Sequence, residues 1–102
     1  MVFEIKVYGK KECALCAATK SKISHLLKAE KLEKEVELNF VDLDTVKGLA
    51  ESADMGIIDI PTTLIINSKE EVVYKFSKAV PNSEEIKKNL SECLYKPQNE
   101  GF

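Results

Sequence analysis

Four short stretches of the chain have the hydrophobic patterns of β-strands. In residues 2–8 and 36–42, apolar and polar residues alternate, which is the period of a strand with one buried face. Residues 62–67 are rich in β-branched side chains, which favour strands. Residues 71–76 follow after a tight turn at residues 68–70. The last two stretches are therefore predicted to form an antiparallel hairpin.

Two segments between these strands have helical character. Residues 13–33 lack Gly and Pro, are rich in good helix formers, and place their apolar residues on one face. A shorter helix is expected at about residues 46–55. Asp44 or Thr45 can cap its start, and Gly56 can close its end.

A last helix is expected to begin at residues 81–83, with Ser83 as its N-cap, and to stop at Pro97. The predicted order is β-α-β-α-β-β-α. The first two strands, joined through a helix, should be parallel with a right-handed crossover. Since the last two are antiparallel, the chain is predicted to be an α/β protein with a mixed sheet. We expect one domain, residues 1–96, followed by a flexible tail, residues 97–102.

The composition and charge of the chain favour some classes of protein over others. The 102 residues are 44% hydrophobic and 31% charged, which is typical of a soluble globular domain. The net charge is −2 and all 15 basic residues are lysine, so a nucleic-acid partner is not expected. Charges interrupt residues 1–7, and no apolar run approaches the roughly 18 residues of a membrane span. A cytoplasmic monomer without a membrane partner is expected.

Three cysteines are present, and two of them, Cys13 and Cys16, are separated by only two residues. An odd count is not typical of a secreted disulfide scaffold, so the close pair indicates redox chemistry or metal binding. A zinc site needs four ligands. His25 would lie on the opposite side of the helix from Cys16, and Cys93 falls on an apolar helical stripe, where a core position is the simplest interpretation. Redox chemistry is favoured, with metal binding and inert cysteines as the alternatives.

The segment Val7-Tyr8-Gly9-Lys10-Lys11-Glu12-Cys13-Ala14-Leu15-Cys16 resembles the strand, loop and helix that carry the C-x-x-C motif of glutaredoxins. The segment Ile60-Pro61-Thr62 is similar to the cis-proline segment of thioredoxins. The element order also matches the thioredoxin fold over about residues 2–95. The resemblance implies a thioredoxin-like fold: a four-stranded mixed sheet with helices on both faces.

The resemblance also implies a function and a site. The chain is expected to be a thiol–disulfide oxidoreductase that reduces protein or small-molecule disulfides through a cycle of Cys13 and Cys16. A reductase or glutathione would supply the electrons, and no cofactor or metal would be held. The implied substrate-binding residues are Tyr8, Lys10, Ile60, Pro61 and Thr62. The alternative is a non-catalytic thioredoxin-fold binding module or a metal–thiolate carrier.

The roles of the two cysteines follow from chemistry at a helix start. Only a thiolate attacks a disulfide, and unsatisfied N–H groups at a helix N-terminus stabilise negative charge. Cys13 is therefore predicted to be the exposed nucleophile of lowered pKa, with Lys10 and Lys11 adding positive potential and Glu12 opposing it. Cys16, three residues later, shares its helix face and is predicted to resolve the mixed disulfide.

Overall fold

The computed structural model describes residues 3–95, with side chains described for residues 3–90. Seven elements follow the predicted order, and their bounds agree with the sequence pattern except at the end of α1 and the start of α3. The strands and helices are β1 (Phe3–Gly9), α1 (Ala14–Ala29), β2 (Val36–Asp42), α2 (Val46–Asp54), β3 (Thr62–Ile66), β4 (Val72–Ser77) and α3 (Ser83–Tyr95). The tail predicted for residues 97–102 and the helix stop at Pro97 lie outside the described residues.

The four strands form one mixed sheet in the order β2-β1-β3-β4. Strand β1 pairs with β2 in parallel and with β3 antiparallel, and β3 pairs with β4 antiparallel. The mixed sheet and the hairpin of β3 and β4 are therefore confirmed. Because β1 is central and both its neighbours are paired to it, its C-terminal end is held on two sides at the point where the chain enters α1.

Alternate residues of β1 face two different layers. Phe3, Ile5 and Val7 pack in a core cluster with apolar residues of α1 and α3. Tyr8 packs in a second cluster on the opposite face, the side of the sheet that carries α2. Helices thus cover both faces of the sheet, as predicted. Burial of one large apolar side chain contributes roughly 1.5–3 kcal/mol. Among the described residues the α1/α3 cluster has 11 buried members and the second cluster has five, so the first contributes more to stability.

Helix α1 ends at Ala29, four residues before the end predicted from composition. The reason is a left-handed residue, Lys31, whose φ is 59°. Its N–H donates to the carbonyl of Lys28, and the N–H of Leu32 donates to the carbonyl of Leu27. This pair of hydrogen bonds is a Schellman closure, which usually has glycine at the left-handed position. Buried Leu32 holds the closure against the core.

The cap of α3 also differs from the prediction. Asn82, not Ser83, has the capping position: its side-chain oxygen accepts from the N–H of Glu84 at 2.7 Å and of Glu85 at 3.4 Å. The backbone carbonyl of Asn82 also accepts a hydrogen bond from the N–H of Ile86. Asparagine is as good a cap as serine, so the residue that precedes the first helical turn satisfies the free N–H groups.

Candidate active site

Cys13 is the N-cap residue of α1. Its backbone is extended, with φ −91° and ψ 113°, while its carbonyl already accepts the first helical hydrogen bond, from Ala17. The N–H of Cys16 donates to Cys13 Sγ at 3.1 Å. A sulfur therefore occupies the place where serine or aspartate oxygen caps most helices, and it receives one of the N–H groups that the helix cannot satisfy itself.

Cys13 and Cys16 form a disulfide, with their Cα atoms 5.2 Å apart. The two sulfurs are in different surroundings. Cys13 is partly exposed, whereas Cys16 is fully buried, at 0% exposure. A reagent that approaches the protein from solvent therefore reaches the sulfur of Cys13 first.

Gly9, the last residue of β1, lies directly beneath the Cys16 side chain. A Cβ atom at this position would stand 2.5 Å from Cys16 Sγ and 2.7 Å from Cys16 Cβ. Cys16 has no exposed space to move into, so only glycine allows this close approach. The sequence pattern identified Gly9 as the end of a strand and did not reveal this contact.

Pro61 lies next to the same end of β1. Thr62 pairs with Tyr8 in the antiparallel register, so Pro61 is positioned opposite Gly9. The Ile60–Pro61 peptide bond is cis, as the resemblance implied. Ile60 is half-buried and Pro61 is buried. The register thus brings Pro61 and the Cys13–Cys16 disulfide to one end of the sheet.

Thr62 is buried, and its hydroxyl is used within the protein. It donates to the carbonyl of Asp59 and lies 3.1 Å from Ser77 Oγ. The carbonyl of Pro61 accepts from the N–H of Lys78 at 2.8 Å. These bonds join the loop before β3 to the end of β4, so Thr62 positions this loop.

Tyr8 has no exposed surface, and its hydroxyl donates to Glu51 of α2 at 3.0 Å. The same carboxylate accepts from Lys6 at 2.6 Å. Burial, together with the hydrogen bond to Glu51, raises the pKa of Tyr8 well above its ordinary range. The hydrogen bond from Lys6 lowers the pKa of Glu51. Tyr8 therefore connects the sheet to α2, and it offers no surface for the substrate contact that was predicted for it.

Positive charge surrounds the start of α1. Lys10 and Lys11 are exposed and line a cavity of about 270 Å³ together with Lys20, whose ammonium lies 5.3 Å from the centre of the Phe40 ring. Asp42 also lines this cavity and opposes the lysines. A negatively charged group in this cavity would thus meet more positive than negative side chains.

Thr63 is a buried polar residue that the sequence pattern did not single out. Its side chain has 0% exposure, and its hydroxyl has no hydrogen-bond partner among the described residues. It pairs with Val7 on one side and with Phe76 on the other, and neither side chain can accept or donate a hydrogen bond. The β-branched pattern predicted only that Thr63 lies in a strand.

Two further observations describe the residues around this site. Among the side chains described, those of residues 3–90, no three of His, Cys, Asp or Glu are grouped as a metal site would require. None of the helices in this part of the chain has the length and apolar character of a membrane span. The side chain of Cys93 lies outside the described ones.

The chain resembles known proteins in structure rather than in sequence. No protein-family model matches the sequence, and no curated protein matches it either. Solved structures do match. A malarial protein has a TM-score of 0.76 and 18% identity, over 92% of this chain and 99% of the other. Thioredoxin-2 of the malaria parasite, a component of its protein secretion machinery, has a TM-score of 0.73 and 16% identity, over 89% and 82%. The thioredoxin of Fasciola hepatica has a TM-score of 0.71 and 21% identity, over 90% and 81%.

These likenesses establish the fold. The chain is an α/β protein with the thioredoxin fold, and the implied four-stranded sheet with helices on both faces is confirmed. Within that fold, the chain has a C-x-x-C disulfide, Cys13–Cys16, at the start of α1.

Proposed function

We propose that the protein is a thiol–disulfide oxidoreductase, with Cys13 as the nucleophile and Cys16 as the resolving cysteine. The observation that carries this proposal is the position of Cys13 at the N-cap of α1, where its sulfur accepts an N–H and is partly exposed. Hydrogen bonds to an anion are stronger than those to a neutral group, so this position favours the thiolate over the thiol.

The reaction begins with the dithiol form. The Cys13 thiolate attacks one sulfur of a substrate disulfide, the substrate S–S bond breaks, and the other substrate sulfur leaves as a thiolate that takes up a proton. Cys16 then loses its proton and attacks Cys13 Sγ, which releases the second substrate thiolate and forms the Cys13–Cys16 disulfide. The substrate gains two electrons and the protein loses two. A dithiol reductant or two molecules of a monothiol such as glutathione restore the dithiol.

The surface near the disulfide supports a protein substrate. Leu15, between the two cysteines, is 48% exposed, and Ile58, three residues before Pro61, is 90% exposed. Exposed apolar side chains near a reactive group are typical of a contact surface for another protein. Among the described residues, no backbone hydrogen bond engages the N–H or carbonyl of Ile60, so both groups can pair with an extended substrate chain.

The function can be tested by insulin reduction with dithiothreitol as the electron donor. Cys13→Ser should abolish turnover, and Cys16→Ser should accumulate mixed disulfides through Cys13. Cys93→Ser is the matched control, because it removes the third thiol and should retain turnover. Mixed disulfides that form through Cys16 in the Cys13→Ser variant would reverse the two roles. Stoichiometric bound zinc or copper without turnover would instead support the metal–thiolate carrier.

The substrate class needs a second experiment. Ile58→Ser should raise KM for a protein disulfide and leave the rate with a small disulfide unchanged. Val46→Ser is the matched control, because Val46 is an apolar residue of α2 with 86% exposure. Equal effects of Ile58→Ser on both kinds of substrate would contradict a protein-docking role for this surface.

A further inference from the structure

Among residues 3–90, the hydroxyl of Thr63 is the buried side-chain polar group without a hydrogen-bond partner, and the proposed cycle does not use it. Burial of a hydroxyl without a hydrogen-bond partner destabilises a protein, and such groups are uncommon in native proteins. Thr63 is fully buried between Val7 and Phe76, and its Oγ1 has no partner among residues 3–90. Valine has nearly the same shape and would avoid this cost.

The sheet register places Thr63 on the same side as Cys16. Thr63 pairs with Val7, which faces the α1/α3 cluster. Gly9 is two residues after Val7 on β1 and therefore faces the same side. A Cβ atom at Gly9 would overlap Cys16 Sγ, so Gly9 and the Cys16 side chain are in direct contact. Thr63 and Gly9 are thus diagonal neighbours across two strands, a relationship that separates backbones by roughly 7–8 Å and leaves side chains within reach.

The redox state of Cys16 changes what this hydroxyl can bond to. In the disulfide, Cys16 Sγ is tied to Cys13 and is a weak acceptor. In the dithiol form Cys16 Sγ is released from that bond, can rotate about χ1, and becomes a much stronger acceptor when it loses its proton.

We propose that Thr63 is a positioning residue whose hydroxyl donates a hydrogen bond to Cys16 Sγ in the dithiol form and has no partner in the disulfide form. The inference rests on the proposed function for its role in the cycle. Its consequence for the redox couple is separate: the hydroxyl stabilises the dithiol and destabilises the disulfide, so it makes the protein more oxidising than it would be with an apolar residue.

The test is the equilibrium of the Cys13–Cys16 couple with dithiothreitol, measured by thiol alkylation. Thr63→Val should shift the equilibrium about tenfold towards the disulfide, which corresponds to a potential lower by about 30 mV. Thr63→Ser keeps a hydroxyl and should stay within about twofold of the natural protein. Thr19→Val is the matched control, because Thr19 is equally buried but donates to the carbonyl of Leu15. Thr63→Ala, as a second variant, should shift the equilibrium in the same direction as Thr63→Val.

Thermal unfolding gives an independent measurement. Thr63→Val should raise the midpoint of the oxidised protein and lower that of the reduced protein, whereas a purely structural role would move both in one direction. An unchanged equilibrium in Thr63→Val, or an equal shift in Thr63→Ser, would overturn the inference. Neither measurement needs a substrate, so a protein that fails to reduce insulin but shows these shifts would refute the proposed function and leave this inference standing.

Discussion

The Cα atom of Gly9 lies so near Cys16 that any side chain at position 9 would overlap the buried sulfur. Gly9→Ala should therefore displace Cys16 and destabilise the oxidised protein by about 1–3 kcal/mol, the usual cost of overpacking. It should also slow the closure of the Cys13–Cys16 disulfide. Urea unfolding and the rate of thiol loss during oxidation measure the two effects.

Gly56→Ala is a suitable control for Gly9→Ala. Gly56 has a φ of 69°, and a Cβ atom there would meet nothing within 4 Å. This substitution should cost about 1–2 kcal/mol through backbone conformation alone and leave disulfide closure unchanged. If both variants closed the disulfide at the natural rate, Gly9 would not be required for the position of Cys16.

The Glu51 carboxylate should make stability depend on pH at both extremes. The hydrogen bond from Lys6 lowers the pKa of Glu51 in the folded protein. The contribution of Glu51 to the free energy of unfolding is therefore complete above its pKa in the unfolded chain. It is lost as the pH falls through its pKa in the folded protein. The pKa of Lys6 is raised by the hydrogen bond to Glu51, and burial raises that of Tyr8. Their contributions are complete below unfolded values of 10.5 and 10.0 and are lost at higher pH.

Glu51→Gln should lower the free energy of unfolding by about 1 kcal/mol at pH 7 and flatten the acid limb of its pH profile. Tyr8→Phe removes one of the two hydrogen bonds that lower the pKa of Glu51. Its acid limb should be shallower than in the natural protein but steeper than in Glu51→Gln, because Lys6 still pairs with Glu51. Urea unfolding at a series of pH values from about 3 to about 9 measures the stability profile of each variant. An acid limb in Glu51→Gln as steep as in the natural protein would show that other carboxylates dominate it.

Asn82→Ala should lower the free energy of unfolding by about 1 kcal/mol, since it removes the side chain that accepts from the first N–H groups of α3. Ser83→Ala is the direct comparison, because serine is already inside the helix and alanine is the better helix former. Thermal unfolding of the two variants decides between the caps. A larger loss for Ser83→Ala than for Asn82→Ala would favour the cap predicted from sequence.

Lys31→Gly should stabilise the protein by about 0.5–1 kcal/mol, because glycine adopts the left-handed conformation at φ 59° without the penalty that lysine has. The same substitution one turn earlier, Lys28→Gly, should destabilise by about 1 kcal/mol, because Lys28 is inside α1. Denaturant midpoints of the two variants should therefore move in opposite directions. A loss of stability in Lys31→Gly would show that the Lys31 side chain contributes more than its backbone costs.

The order and type of all seven elements could be predicted because their patterns are local. Alternation marked β1 and β2, and the run without Gly or Pro marked α1. The predicted end of α1 was wrong because Lys31 adopts the left-handed conformation that is usually found at glycine. Burial of Leu32 makes this helix end favourable, and that burial exists only in the folded protein. The predicted N-cap of α3 was wrong because Asn82 and Ser83 are adjacent and both are good N-cap residues, so the sequence does not distinguish them.

The candidate site was predictable only in part. The positions of Cys13 and Cys16 at the helix start could be read from their spacing, and the cis bond before Pro61 followed from the resemblance. The roles of Gly9 and Thr63 depend on which strands pair and in which register, and nothing local reveals that. The acceptor for the buried Tyr8 hydroxyl is likewise distant in sequence, since Glu51 is 43 residues away.

The unequal burial of the two sulfurs has a kinetic consequence. Only Cys13 can be approached from solvent, because Cys16 has no exposed surface. In the proposed cycle, the electron donor attacks Cys13 Sγ, and the electron acceptor is attacked by the same atom. The two therefore cannot occupy the site at the same time. Each must depart before its counterpart arrives, so raising the concentration of one beyond what the other can match should inhibit the overall rate.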